Sequence, residues 1–429
     1  MRGKFSTFSG VALMAMAAAA LPTQAQAQDQ QAGTVTLSAE QWQAIQQELA
    51  PLHADVSQLK AEQQQTQEAA VQAQATATQA QTTAQDAAKS TKDVLNPVAW
   101  AKDTKLSGRM YFNASDITRK VNGAKTESDG GFAIKRFYVG IDHKFSDVLS
   151  GNITTDVDSV ASTNGSLVGK GLYVKKAYLQ AKFSPAFTVR AGSADLPWVP
   201  YVEGLYGFRY VENVMIDRTK FGTSADWGVH VLGDLAGGII SYDVAAIDGG
   251  GYRDPKFTNT VDLEGRVSAK YKGFNAAIGG YTGKLGKDVD PTSPALHTAT
   301  RLDALVAYKN SLFTVGGEYF WAKNWAQVTA APDDKADGWS VFGSITPARK
   351  ITVFGRYDWV KPHKLTAPTL KDQYFNAGIQ YEAFKNVDLA LVYKHDKADN
   401  GTISTSNGTI GGSTDGTYDE VGVFGMFQF

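Results

Sequence analysis

Two periodicities divide the chain. From Trp42 to Val94, apolar or small residues recur at alternating spacings of three and four. The positions are Trp42, Ile45, Leu49, Leu52, Val56, Leu59, then Gln63, Thr66, Ala70, Ala73, Ala77, Ala80, Ala84, Ala87, Thr91 and Val94. A period of 3.5 predicts a helix whose seam is buried by supercoiling against other helices. From Leu106 to Phe429 the period becomes two, which predicts strands with one apolar and one polar face.

The helical segment carries its own punctuation. Ser38 and Gln41 form a capping-box pattern at its start, and Asn96-Pro97 closes it. Pro51 is the one conflict. It predicts a kink, or a break between a short helix over about 38–49 and a longer one beginning at Pro51. A coiled coil over 42–94 would be about 80 Å long. Its Ala-rich half buries little area, so it needs help from neighbouring subunits. The alternative for so Gln/Ala-rich a stretch is a disordered linker.

The strands alternate with turns of two lengths. Leu106, Gly108, Met110, Phe112 and Ala114 oppose Ser107, Arg109, Tyr111, Asn113 and Ser115. Phe137, Val139 and Ile141 oppose Arg136, Tyr138 and Asp142. Ala177, Leu179, Ala181 and Phe183 oppose Lys176, Tyr178, Gln180 and Lys182. Short turns fall at 146–147, 184–186, 234–237, 272–273, 309–311, 347–350 and 385–386. Longer polar segments fall between them, at 117–130, 159–170, 193–222, 249–258, 284–297, 325–334, 361–371 and 397–417. Seven short turns and eight long segments predict sixteen strands. Apolar-out, polar-in alternation with short turns on one side is the pattern of a bacterial transmembrane β-barrel. Tyr271, Tyr308, Phe313, Phe384 and Phe429 beside short turns, and Tyr319, Trp321, Trp339 and Trp359 beside long loops, would form two aromatic girdles. The chain ends inside a strand, with Phe427 and Phe429 as its terminal aromatic signal. A closed barrel removes the exposed edge that such a strand would leave in a soluble domain. A soluble barrel or sandwich is the alternative. The expected fold class is an all-β transmembrane barrel of sixteen antiparallel strands, preceded by a periplasmic α-helical coiled coil.

The amino terminus agrees with export. Arg2 and Lys4 precede an apolar run from Val11 to Leu21, and Ala25-Gln26-Ala27 is a small-residue cleavage pattern. This reads as a signal peptide over 1–27. The domains are then 28–100 for the coiled-coil segment and 101–429 for the barrel. Residues 28–100 hold eight acids and three bases, a net charge of −5, and the remainder has 37 bases and 35 acids, a net of +2. Neither part has the basic excess of a nucleic-acid binder. The chain has no Cys, which excludes a disulfide framework or a thiolate metal site. A sixteen-strand barrel is too wide for side chains to fill, so an aqueous channel is expected.

Four short motifs stand in the barrel: Leu106-Ser-Gly-Arg-Met-Tyr-Phe, Phe132-Ala-Ile-Lys-Arg-Phe-Tyr-Val-Gly, Lys176-Ala-Tyr-Leu-Gln, and Val189-Arg-Ala-Gly-Ser-Ala-Asp-Leu-Pro-Trp followed by Glu203. Together they resemble the phosphate-selective porin O/P family of Gram-negative outer membranes. The likeness is clearest over 105–220. It implies a homotrimer of sixteen-strand barrels in outer-membrane lipid, whose third long loop folds into the lumen. In this chain the third segment, 193–222, is the longest.

The family's lumen arginine ladder and lysine cluster are not reproduced. The candidate pore-wall bases are scattered: Arg109, Arg136, Lys176, Arg190, Arg266 and Arg356. The candidate constriction mixes signs, with Asp195, Glu203, Glu212 and Asp217 beside Arg209, Arg218 and Lys220. Opposed charges give a transverse field and weak selectivity, whereas a ring of one sign selects strongly. The favoured function is therefore passive diffusion of small hydrophilic solutes or ions. An anion- or phosphate-selective pore is the first alternative. An envelope tether, whose coiled coil contacts peptidoglycan or another envelope component, is the second. No enzyme, cofactor or metal site is expected: His53, His143, His230, His297, His363 and His395 form no metal-spaced pair. Asp333, Asp334 and Asp337 read as a solvated loop, with a divalent-cation site in a surface loop as the alternative.

Overall fold

The structure is a computed structural model that describes residues 38–157, 172–289 and 294–429. The expected signal peptide and the polar segment 159–170 lie outside the described residues. Two compact units divide the chain between Asp93 and Val94.

The first unit contains one helix, α1 (Ala39–Leu95). Its start is the expected capping box: the Ser38 N–H donates to Gln41 Oε1 at 3.2 Å, and the Gln41 N–H donates to Ser38 Oγ at 3.2 Å. Asn96-Pro97 ends it, and a 3₁₀ segment (Asn96–Asp103) follows. The break predicted at Pro51 is corrected: α1 runs through it. Proline's fixed φ is already helical, and the flanking turns hold good helix formers, so one missing donor does not end the helix.

The second unit is a closed barrel of sixteen antiparallel strands. In chain order these are β1 (Thr104–Val121), β2 (Ala124–Lys144), β3 (Leu149–Val157), β4 (Leu172–Ser184), β5 (Phe187–Asp195), β6 (Ala225–Leu235), β7 (Ile240–Ile247) and β8 (Asp262–Tyr271). They continue with β9 (Phe274–Gly283), β10 (Ala299–Lys309), β11 (Phe313–Lys323), β12 (Lys335–Ala348), β13 (Ile351–Lys361), β14 (Lys371–Phe384), β15 (Val387–Thr405) and β16 (Gly408–Gln428). Each strand pairs with its sequence neighbours, and β16 returns to β1 from Arg109↔Gln428 to Val121↔Gly416. The last residue takes part in closure. The Phe429 N–H donates to Gly108 O at 3.0 Å, and the Gly108 N–H donates to Phe429 O at 3.2 Å. The Phe429 ring lies over Gly108, where a Cβ would push it aside.

The outer face is apolar, with Ile278 68% and Val306 66% exposed. Two of the long polar segments are not loops. Residues 117–130 and 397–417 are mostly paired strand, turning at Asn122-Gly123 and at Ser406-Asn407. Asn122 and Gly123 both have positive φ (52° and 78°), the backbone a two-residue hairpin turn demands. Polarity marked these segments as solvent-exposed without revealing that their backbones pair.

Strict alternation also fails at two bulges. In β2 the partners of β1 step from Arg136 to Ile134, leaving Lys135 as the extra residue. In β4 the partners of β3 step from Lys176 to Val174, leaving Lys175 extra. An extra residue reverses which parity faces outward, so Ile134 and Val174 share the outer face with Val139 and Leu179.

Candidate functional site

The loop between β5 and β6 is built to fold inward. It starts at Leu196 and holds α2 (Val199–Tyr206) and the single turn α3 (Met215–Arg218). Pro200 suits the first turn of α2, and Gly207 closes it in the left-handed conformation (φ 84°). The loop is apolar along most of its length. Trp198, Val199, Val202, Val211, Val214, Met215 and Ile216 are at most 1% exposed. They form the main apolar core of the barrel with inward-facing Phe320, Phe342, Phe354, Val360, Val392 and Phe424. This departs from the expected apolar-out, polar-in alternation of the strands. The inner wall is apolar where a segment of the chain covers it.

Specific contacts pin the loop to that wall. Phe208 stacks on Phe354 with centroids 3.9 Å apart. The Tyr210 hydroxyl donates to Gln380 Oε1 at 2.8 Å. Arg266 donates to Pro197 O at 2.7 Å and lies over the Tyr201 ring. Arg356 donates to Asn213 O at 2.7 Å and Arg301 to Phe221 O at 2.6 Å. Arg218 is the strongest anchor. It is fully buried and bonds to three carboxylates: Asp358 at 3.0 Å, Asp372 at 2.5 Å and Asp396 at 3.0 Å. Burial opposes its charge, but Asp372, Asp396 and Asp358 outweigh burial and raise its pKa above the ordinary guanidinium value. Glu212 sits in a second buried cluster with Lys394 at 3.3 Å. Burial pushes its carboxyl up, and Lys394, Lys135 and the Ser406 hydroxyl more than offset this, so it stays below the usual carboxylate range. Ser406, at the β15–β16 tip, reaches down to donate to Glu212 and, through its N–H, to Arg218 O.

The opposite half of the lumen stays open. A cavity of about 850 Å³ lies between β1–β4 and the loop and reaches the short-turn side at Asn386 and Phe429. Its lining includes Lys105, Arg109, Lys175, Lys176 and Arg209, with Asp142, Asp195 and Glu203. Lys176 pairs with Asp195 at 3.2 Å and Arg209 with Glu203 at 2.5 Å. Among the described residues, Lys105, Arg109 and Lys175 form no ion pair. Lys175 rests instead over the Tyr138 and Tyr252 rings. Nearby, Arg190 bonds to Gln180 and stacks on Tyr178, and Arg136 pairs with Asp156 at 3.0 Å.

The candidate residues therefore separate. Asp195 is the last residue of β5 rather than part of the loop. Glu203, Arg209 and Asp217 cluster, with Arg209 3.6 Å from Asp217. Glu212 and Arg218 are buried between the loop and the wall and do not line the cavity. Lys220 is exposed, and its carbonyl accepts from Trp325 Nε1. Of the wall bases, Arg109 and Lys176 line the cavity, and Arg266 and Arg356 hold the loop. Alternation missed Lys175 and Lys135. The available signal was a slip in apolar phase, from Phe132 and Ile134 to Phe137 and Val139, and from Val174 to Ala177 and Leu179.

No protein-family model matches the chain, so its likeness to the phosphate-selective porins rests on the short motifs alone. No curated protein matches it in sequence either. Solved structures do match in fold. An anion-selective porin from Comamonas acidovorans is 14% identical, with 76% of this chain and 99% of that one covered and a TM-score of 0.57. The outer membrane channel DcaP of Acinetobacter baumannii is 14% identical, with 76% and 97% covered and a TM-score of 0.54. OmpF of Salmonella typhi in complex with daunomycin is 12% identical, with 76% and 97% covered and a TM-score of 0.53. At these identities the likeness establishes the barrel fold.

Proposed function

We propose that the chain is a porin of a Gram-negative outer membrane, a water-filled channel for passive diffusion of small hydrophilic solutes that favours anions. One observation carries this reading. The cavity wall holds Lys105, Arg109 and Lys175 with no carboxylate within ion-pair distance among the described residues, while Asp358, Asp372 and Asp396 on the far wall are occupied in binding Arg218. Opposed charge across the lumen produces a transverse field, and the surplus on its wet side sets the sign of preference. Asp142, Asp195 and Glu203 keep that preference weak and argue against a dedicated phosphate site. Two of the fold neighbours, an anion-selective porin and an outer membrane channel, support the same reading. The protein would act as a homotrimer, with the coiled-coil segment in the periplasm and loop 193–222 narrowing the pore.

Planar-bilayer recording tests this. Folded protein is expected to give discrete conductance steps, with a reversal potential under a KCl gradient that indicates excess chloride current. Absence of channels would sink the porin reading. A potassium preference would sink only the sign. The tether reading is favoured by the exposed apolar stripe on α1. Channels that persist after deletion of 28–100 would separate conduction from that segment.

A further inference from the structure

The stripe on α1 has nothing over it in the single chain. Trp42, Leu49, Leu52 and Leu59 are 54%, 45%, 62% and 63% exposed. With Trp42, Leu49 and Val56 at heptad position a and Ile45, Leu52 and Leu59 at d, the flanking positions follow from the spacing. The g flank carries Glu48, Asp55 and Glu62, and the e flank carries His53 and Lys60. One flank is thus acidic and the other basic or neutral. Charges five residues apart across a seam do not meet within one helix, where neighbours lie three or four apart. Among the described residues, α1 contains no ion pair.

We infer that this face takes second copies of the same helix, parallel and in register. In that arrangement each g residue meets the e residue of the following heptad on the neighbouring helix. Glu48 then faces His53 of the next copy, Asp55 faces Lys60, and Glu62 faces Gln67. An antiparallel pairing sets g against g and e against e. It would bring Glu48, Asp55 and Glu62 together on one side and His53 and Lys60 on the other, a repulsive arrangement on both. The flanks therefore choose the orientation, which the apolar seam alone does not. The choice matches copies whose barrels share one membrane orientation, and in this respect the inference rests on the homotrimer reading. Association is concentrated between Trp42 and Leu59. Beyond Leu59 the seam holds Gln63, Thr66 and alanines, which keep register over length while burying little area.

Single cysteines in the full-length, detergent-solubilised protein test this, because the chain has none of its own. Leu52→Cys is expected to form disulfide-linked dimers under mild oxidation, and Gln58→Cys, on the outer face of the helix, is not. In a mixture of Ile45→Cys and Leu59→Cys chains, parallel pairing gives 45–45 and 59–59 links. A 45–59 link would mean antiparallel helices and overturn the inference. Absence of any link at 52 would also overturn it and leave the face to another envelope component. Charge provides an independent arm. Glu48→Lys/Asp55→Lys/Glu62→Lys alone, and His53→Glu/Lys60→Glu alone, should each lower the Leu52→Cys yield several-fold, and co-refolding the two variants should restore it. Bilayer conductance of the same samples reads the pore separately, so loss of links with intact channels would fail this inference and spare the porin reading.

Discussion

The two halves of the barrel interior use the same residue types for opposite purposes. Along β11–β16, arginines, lysines and carboxylates are buried, mutually bonded and roofed by the loop. Along β1–β5, cations line open space and rest on tyrosine rings. The covered half is a protein core in which charge holds a segment in place. The open half is a cavity wall in which charge faces open space. Covering by the loop separates the two cases, because a buried charge must be paired and a solvated one need not be.

The largest expected effect comes from breaking the covered half. Arg218→Met leaves Asp358, Asp372 and Asp396 buried without their cation and should cost about 3–5 kcal/mol. Urea unfolding in detergent, read by the loss of the fast-migrating folded band, measures it. An unchanged midpoint would show that the carboxylates hold the loop little. Phe208→Ala removes the ring stacked on Phe354 and should cost roughly 3 kcal/mol. Its single-channel trace should also become noisier as the loop loosens.

The open half is more tolerant. Lys175→Gln should leave folding intact and shift the reversal potential toward neutrality. A cation about 4 Å from a permeating anion in water is worth about 1 kcal/mol, roughly a five-fold change in ion ratio. An equal shift from Arg218→Met without loss of stability would erase the distinction between the halves. High salt should act in the same direction as Lys175→Gln, since the screening length falls to about 3 Å at 1 M.

The smallest effect lies at the outer loops. Burial pushes the Asp334 carboxyl up, but bonds from the Thr366 hydroxyl, the Leu365 N–H and His363 outweigh it and hold the group below the usual carboxylate range. A carboxyl depressed on folding stabilises above its unfolded pKa, and that contribution is lost as pH falls through the folded value. Protease cleavage within 361–371 should therefore rise only below about pH 4, and Asp334→Ala should raise it at neutral pH.

Much of this was legible in residue order, for identifiable reasons. Sixteen strands could be counted because turn residues and period-two alternation are local properties, and all seven short turns lie where polarity and glycine placed them. The helix was legible through its capping box and its unbroken seam. Reading stopped where neighbours in space decide. Lys175 alternates with nothing in its own strand; its inward placement depends on β3 pairing one residue out of step. Asp372 and Asp396 look like ordinary lumen acids until Arg218 arrives from a loop more than a hundred residues earlier in the chain.

Sequence alone determined the two architectures, a 3.5-period helix followed by a period-two barrel, because each periodicity is dictated by backbone geometry within a few residues. Tertiary structure decided which half of the lumen is sealed and which stays open. That depends on where one apolar loop lies against a wall, and burial of a charge is a property of what covers it.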